Sequence, residues 1–149
     1  MNGALDAEEI EELLLGEVLG RVGFVAEGRP YIAPVAYVYD TKCSFVYVHS
    51  TTGFKVRAMR ANPGVCFEVE RVRDMGNWRS VVAQARFEEL PPDREELAMA
   101  VLVARLGPAD PDPKYLADRR GAMQTKHGVR RSILYRLHLF EKVGRFERT

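Results

Sequence analysis

Cysteine and histidine are scarce in this sequence, with two of one and three of the other in 149 residues. Cys43 and Cys66 form no CxxC pair, and His127 and His138 have no partner at metal-ligand spacing, which argues against a metal centre. Both cysteines fall in apolar, strand-like runs. They read as two buried thiols in a reducing compartment, with a bridge between adjacent strands as the alternative. A charge excess of one sign is missing too. Twenty-two basic and 21 acidic side chains leave a net charge of +1, so no global field gathers nucleic acid or an acidic membrane. Any anion binding has to be local. The basic residues Arg119, Arg120, Lys126, Arg130 and Arg131 are interleaved with or close to Asp110, Asp112 and Asp118, and read as a solvated face rather than a nucleic-acid patch. No apolar run approaches a membrane span. The N-terminus is acidic and amphipathic, without the basic-then-apolar layout of a signal peptide. A cytoplasmic chain with neither nucleic-acid nor membrane partners is expected. There is no internal repeat, no low-complexity tract and no Gly-x-Ser-x-Gly elbow.

What is present suggests one domain spanning residues 1–149, large enough to bury a core without staples. Asp6-Ala7-Glu8-Glu9 fits a capping box, with Leu5 and Ile10 placed as a hydrophobic staple and Gly16 as a stop. Strands are expected over Arg21–Ala26, Tyr31–Tyr39 (interrupted by Pro34) and Cys43–His49, with Glu27-Gly28 as a hairpin turn. A short helix over Phe54–Ala61 ends at the breaker Asn62-Pro63-Gly64. Val65–Val72 and Trp78–Leu90 alternate apolar and polar residues. A helix over Asp93–Leu106 is capped by Asp93. Pro108–Pro113 reads as a turn, Lys114–Arg131 as a mixed segment, and Ser132–Phe140 as a last strand. The early connections are too short for parallel crossovers, so the fold is mainly β (α+β), with six or so mostly antiparallel strands closing into a barrel with peripheral helices.

The stretch His49-Ser50-Thr51-Thr52-Gly53-Phe54-Lys55 carries the most chemistry. It ends a strand and opens a helix, where unpaired N–H groups and the positive end of the macrodipole meet. A lysine in that first turn is unfavourable unless an anion lies between, so the segment reads as a phosphate socket. The plainer alternative is a helix capped by Thr51 or Thr52 with Lys55 in solvent. A Walker A loop is ruled out, because Phe54 separates Gly53 from Lys55 and Val56 follows. His49 borders the socket and is the candidate proton carrier or ring contact; a rim histidine bonded to backbone is its alternative. Trp78 and Ser80 form a second candidate, as a ligand wall or as an ordinary strand end.

Taken in order, these segments carry a family resemblance. Gly28-Arg29-Pro30-Tyr31-Ile32-Ala33-Pro34-Val35 is followed by Tyr47-Val48-His49-Ser50 with Gly53-Phe54-Lys55, then by Arg60–Val69 and Trp78-Arg79-Ser80-Val81-Val82. The chain resembles the pyridoxamine 5′-phosphate oxidase-like flavoproteins, in particular the branch related to nitroimidazole-resistance proteins. The resemblance implies an FMN-binding split β-barrel that dimerises, with two cofactor sites at the interface. It assigns the flavin phosphate to Ser50, Thr52 and Lys55, the isoalloxazine to Pro34, Val35, Ala36 and Tyr37, and the ring or substrate side to His49. Ser80, with Trp78 nearby, would join the pocket from the adjoining strand. The implied activity is that of a small-molecule reductase or oxidase, with NAD(P)H as a potential donor. The alternatives are a non-catalytic flavin store or sensor, or a split barrel for haem or a deazaflavin. The sequence departs from relatives in a short Glu70–Trp78 segment and in Val143-Gly144-Arg145 where Thr-Gly-Lys is common.

Overall fold

The computed structural model describes residues 1–107, 122–125 and 128–149. The expected Pro108–Pro113 turn and much of the Lys114–Arg131 segment, including Arg119, Arg120, Lys126 and His127, lie outside the described residues. The elements are β1 (Asn2–Ala4), α1 (Ala7–Gly16), β2 (Leu19–Ala26), β3 (Arg29–Ala36), β4 (Val38–Asp40), β5 (Phe45–Thr51), α2 (Phe54–Ala61), β6 (Gly64–Asp74), β7 (Asn77–Glu89), α3 (Pro92–Leu106), β8 (Ala122–Thr125) and β9 (Gly128–Glu147). The helix α2 occupies the expected residues. Strands β1 and β8 are short additions, β4 takes up the end of the expected Tyr31–Tyr39 strand, and the last strand extends well beyond Phe140 at its C-terminal end.

Local chemistry explains the element ends. At α1, the Glu9 amide donates to Asp6 Oδ1 at 2.8 Å and the Asp6 amide donates to Glu9 Oε1 at 3.0 Å, a reciprocal cap of the kind worth about 1 kcal/mol. The β2–β3 turn has Glu27 at φ 52° and Gly28 at φ 76°, the left-handed pair that matches the twist of a two-residue hairpin. Helix α3 starts with Pro91 as its N-cap and Pro92 in the first turn. Asp93 is therefore not the cap; it sits inside the first turn, where its charge still favours the dipole.

The sheet runs β3-β2-β6-β7-β9-β5-β4, with antiparallel pairing at each step, and remains open between β3 and β4. Inward side chains from these strands meet in one core with Ile10, Leu13 and Leu14 of α1 and Val56, Ala58 and Met59 of α2. Leu13, Leu14, Phe67 and Leu137 are almost fully buried, each contributing about 1.5–3 kcal/mol of apolar transfer. Helix α1 packs against β4, β6, β7 and β9, and α2 against β2 and β7. Beside α1, a Cβ on Gly144 would stand 2.8 Å from Leu5 and Ile10, so glycine lets the helix seat. Near α2, the Phe87 amide donates to the Pro63 carbonyl at 2.9 Å.

The expected Tyr31–Tyr39 strand is broken at Tyr37, because there the chain crosses from one edge of the sheet to the other. Tyr37 is fully buried, donates its hydroxyl to the Leu14 carbonyl at 2.7 Å, and donates its amide to the Val18 carbonyl at 3.0 Å. Pro34 lies on β3, the edge strand, where a missing N–H is tolerated. The cysteine expectation is corrected in part: Cys43 is exposed in the turn before β5, Cys66 is half-buried on β6, and both are free thiols. The alternation that runs through Val46 and Val48 does not extend back to Cys43, because β5 begins only at Phe45. No helix among the described residues is long and apolar enough to cross a membrane.

Candidate functional site

The socket forms where β5 hands over to α2. His49, Ser50 and Thr51 pair with Leu134, Ile133 and Ser132 of β9, which fixes the strand end rigidly. Gly53 is the N-cap of α2 and provides no side-chain cap; neither Thr51 nor Thr52 takes that place. The first intrahelical bond runs from the Arg57 amide to the Gly53 carbonyl at 3.0 Å. The N–H groups of Phe54, Lys55 and Val56 precede it and have no intrahelical acceptor. No acidic residue occupies the first turn. Lys55 is half-buried there, and burial lowers its ammonium pKa from the ordinary value. No ion pair joins Lys55 to a carboxylate among the described residues. A cation placed this way costs about 0.3–1 kcal/mol against the macrodipole, and an anion at the helix start would reverse the sign.

Ser50 is half-buried at the strand end, and among the described residues its hydroxyl makes only a long 3.4 Å contact to the Thr51 carbonyl. His49 is half-buried on the outward face of β5, and burial lowers its imidazole pKa below the ordinary value. That shift favours the neutral ring, which donates from one nitrogen while accepting at the other. On β3, Pro34 and Ala36 are exposed whereas Val35 and Tyr37 turn into the core. Any ligand on this strand meets Pro34, Ala36 and backbone, with Val35 and Tyr37 supporting them from behind.

Trp78 and Ser80 do not join the socket within one chain. Strand β7 does not adjoin β5; β9 lies between them. Ser80 pairs with Arg145 of β9 while Ser50 pairs with Ile133, twelve residues away along that strand. Trp78 instead lines a separate cavity of about 310 Å³ with Arg71, Arg73, Arg79 and Phe146.

One neighbour of the socket was not singled out from sequence. Phe54 packs edge-on against Tyr31 at 5.1 Å and Phe24 at 6.1 Å, and Phe24 stacks on Tyr31 at 5.6 Å. Phe54 and Tyr31 stay partly exposed, giving an aromatic wall beside the helix start. The two-residue turn at Glu27-Gly28 sets Phe24 opposite Tyr31, so half of this wall was implicit in the hairpin. Phe54 joins through tertiary packing alone. Among the described residues, no group of three or more His, Cys, Asp or Glu side chains could hold a metal ion.

Comparison with known proteins places this geometry. The chain is 26% identical to a crystallised FAD-binding protein from Mesorhizobium loti, with a TM-score of 0.75 and 98% of each chain covered. A 5-nitroimidazole antibiotic-resistance candidate from Bacteroides thetaiotaomicron shares the fold at 18% identity and TM-score 0.69, covering 98% of this chain and 87% of that one. So does an FAD- and haem-binding protein from Mycobacterium smegmatis, at 17% identity and TM-score 0.70, covering 99% and 74%. An uncharacterized protein of Rhizobium meliloti is 30% identical over 87 residues, 58% of this chain and 56% of that relative's length. The match thus spans little more than half of that relative. The sequence profile described as Pyridoxamine 5'-phosphate oxidase matches residues 6–139, nine-tenths of the chain, and the protein belongs to that family.

Proposed function

We propose that this protein is a homodimeric flavoprotein that binds FMN and serves as a reductase or oxidase of a small molecule. The observation that carries the reading is the half-buried Lys55 at an uncapped helix start beside Ser50 and Thr52. The donor set fits a terminal phosphate: backbone N–H groups, hydroxyls and one cation. Ser50, Thr52 and Lys55 would hold that phosphate, and Pro34 and Ala36 would flank the ring, backed by Val35 and Tyr37. When bound, the flavin supplies hydride or single-electron transfer. The chain supplies orientation, an apolar wall that excludes water, and a neutral His49 able to hold a hydrogen bond on the ring or substrate side. Solved structures of similar fold include proteins that bind FAD, which supports a flavin as the ligand class.

The wide separation of Ser50 and Ser80 in one chain supports a site shared by two copies. In that arrangement a second copy would bring Trp78 and Ser80 to the socket of the first, as a two-fold interface allows. Titration of purified protein with FMN, FAD and riboflavin, followed by flavin fluorescence, tests the reading. FMN is expected to bind, and Lys55→Ala to weaken it about tenfold to a hundredfold through lost charge-assisted bonds, with riboflavin hardly affected. Absence of any flavin signal at saturation would overturn the reading, and an equal loss for FMN and riboflavin would remove Lys55 from the phosphate.

A further inference from the structure

A second groove lies between α3 and the outward faces of β4 and β5, lined by Tyr47, which shares its face of β5 with His49. Helix α3 buries Ala98, Met99 and Leu102 against Leu90 and Leu134, with Val38 and Tyr47 packed alongside. The same helix leaves Leu97 68% and Val101 40% exposed. These residues are four apart, so they share one stripe, and Arg94 begins it. That stripe borders a groove of about 360 Å³ whose apolar walls include Leu15, Val38 and Tyr47. The volume falls within the usual range for a small-molecule pocket.

The charges at its mouth are of one prevailing sign. Lys42, Arg94 and Arg136 line it, against Asp40 alone among carboxylates. Arg136 is already engaged, donating to Glu88 at 2.9 Å and lying 4.1 Å over the Phe45 ring. Asp40 accepts from the Lys42 amide at 2.9 Å. Arg94 makes no ion pair with a described residue, and it lines the groove on the same helix stripe as Leu97 and Val101. We infer that this groove binds an amphipathic monocarboxylate, its apolar body along Leu97 and Val101 and its carboxylate at Arg94. An apolar molecule without charge would gain nothing from the basic side chains of Lys42, Arg94 and Arg136, and a small polar anion would leave the exposed leucine and valine wet.

Calorimetric titration of the purified protein with octanoate, octanol and acetate tests this site. Octanoate is expected to bind once per chain, with octanol and acetate about tenfold weaker or more. Arg94→Gln should bring octanoate down to the level of octanol, and Leu97→Asp should abolish octanoate binding. Both positions are exposed, and unchanged thermal melts would verify the fold. FMN titration of the same variants should match wild type, which separates this site from the flavin proposal. Absence of octanoate binding, equal binding of octanoate and octanol, or octanoate binding that survives Leu97→Asp would each overturn the inference. A change of oligomeric state in Leu97→Asp without octanoate binding to wild type would instead assign the groove to a protein contact.

Discussion

Ser50 and Ser80 both lie at positions registered through β9, yet they meet it at Ile133 and Arg145, twelve residues apart. Two side chains assigned by resemblance to one pocket thus stand toward opposite ends of one strand. The proposed dimer turns this separation into a prediction. Mixing and refolding a Lys55→Ala chain with a Trp78→Ala chain should restore FMN sites of wild-type affinity, which neither variant has alone. Random pairing would recover about a quarter of the wild-type sites. Flavin uptake measured against the mixing ratio checks this; recovery absent at every ratio would place both residues in the same copy's site or outside it.

Tyr37 offers a contrasting case. Its hydroxyl donates to the Leu14 carbonyl inside the core, so Tyr37→Phe should leave that carbonyl unsatisfied and cost about 1–3 kcal/mol. For a chain of this size the melting temperature should fall by about 2–4 °C per kcal/mol. Flavin affinity measured below the melting range should change little, since the phenol faces α1.

His49 should give the acid limb of the stability profile a slope. Burial lowers its folded-state pKa below the ordinary 6.5, so between these two values the unfolded chain binds more protons than the folded one. Stability then rises with pH across that window, and below it, where both states are protonated, this contribution is lost and the profile levels off. His49→Gln should flatten this part of a melting-temperature profile. An unaltered slope in the variant would show that other groups produce it.

Glu68 acts in the opposite direction. Burial first, and then the neighbouring Glu70, raise its pKa from 4.5 to about 7, against the pull of Arg21. Arg21 donates to Glu70 at 2.7 Å and only at 3.4 Å to Glu68. The folded chain holds a proton there that the unfolded chain has released, so this contribution to stability is present below pH 4.5 and lost as pH rises through about 7. Glu68→Gln should raise the melting temperature at pH 8 relative to wild type and leave it nearly unchanged at pH 4, as differential scanning calorimetry would register.

Several features followed from local pattern. The Asp6–Glu9 cap, the Glu27-Gly28 turn, the span of α2 and the inward rows Val65-Phe67-Val69 and Val81-Ala83-Ala85-Phe87 each depend on residues close in sequence, and each appears as expected. The chemistry of the socket was also legible, because a strand end, a glycine and a first-turn lysine are adjacent in the chain. The last strand was readable only to Phe140. There the ladder steps from Leu139 opposite Ala85 to Glu141 opposite Gln84, and the extra residue shifts the inward row from Tyr135, Leu137 and Leu139 to Lys142, Gly144 and Phe146. A bulge of this kind reverses which face every later side chain takes.

Sequence by itself thus determined most of the elements, the main buried rows and the family, and it pointed to residues 49–55 as the candidate anion site, since these rest on periodicity, caps and short motifs. Only the tertiary structure decided which of the candidate residues come together. Strand order put β9 between β5 and β7, which parted Trp78 and Ser80 from Ser50 and Lys55. Packing drew Tyr37 inward to α1, brought Phe54 onto Tyr31, and laid α3 across β5 to leave the groove at Arg94. Register and strand order are set by contacts between residues far apart in the chain, and a local pattern carries no measure of them.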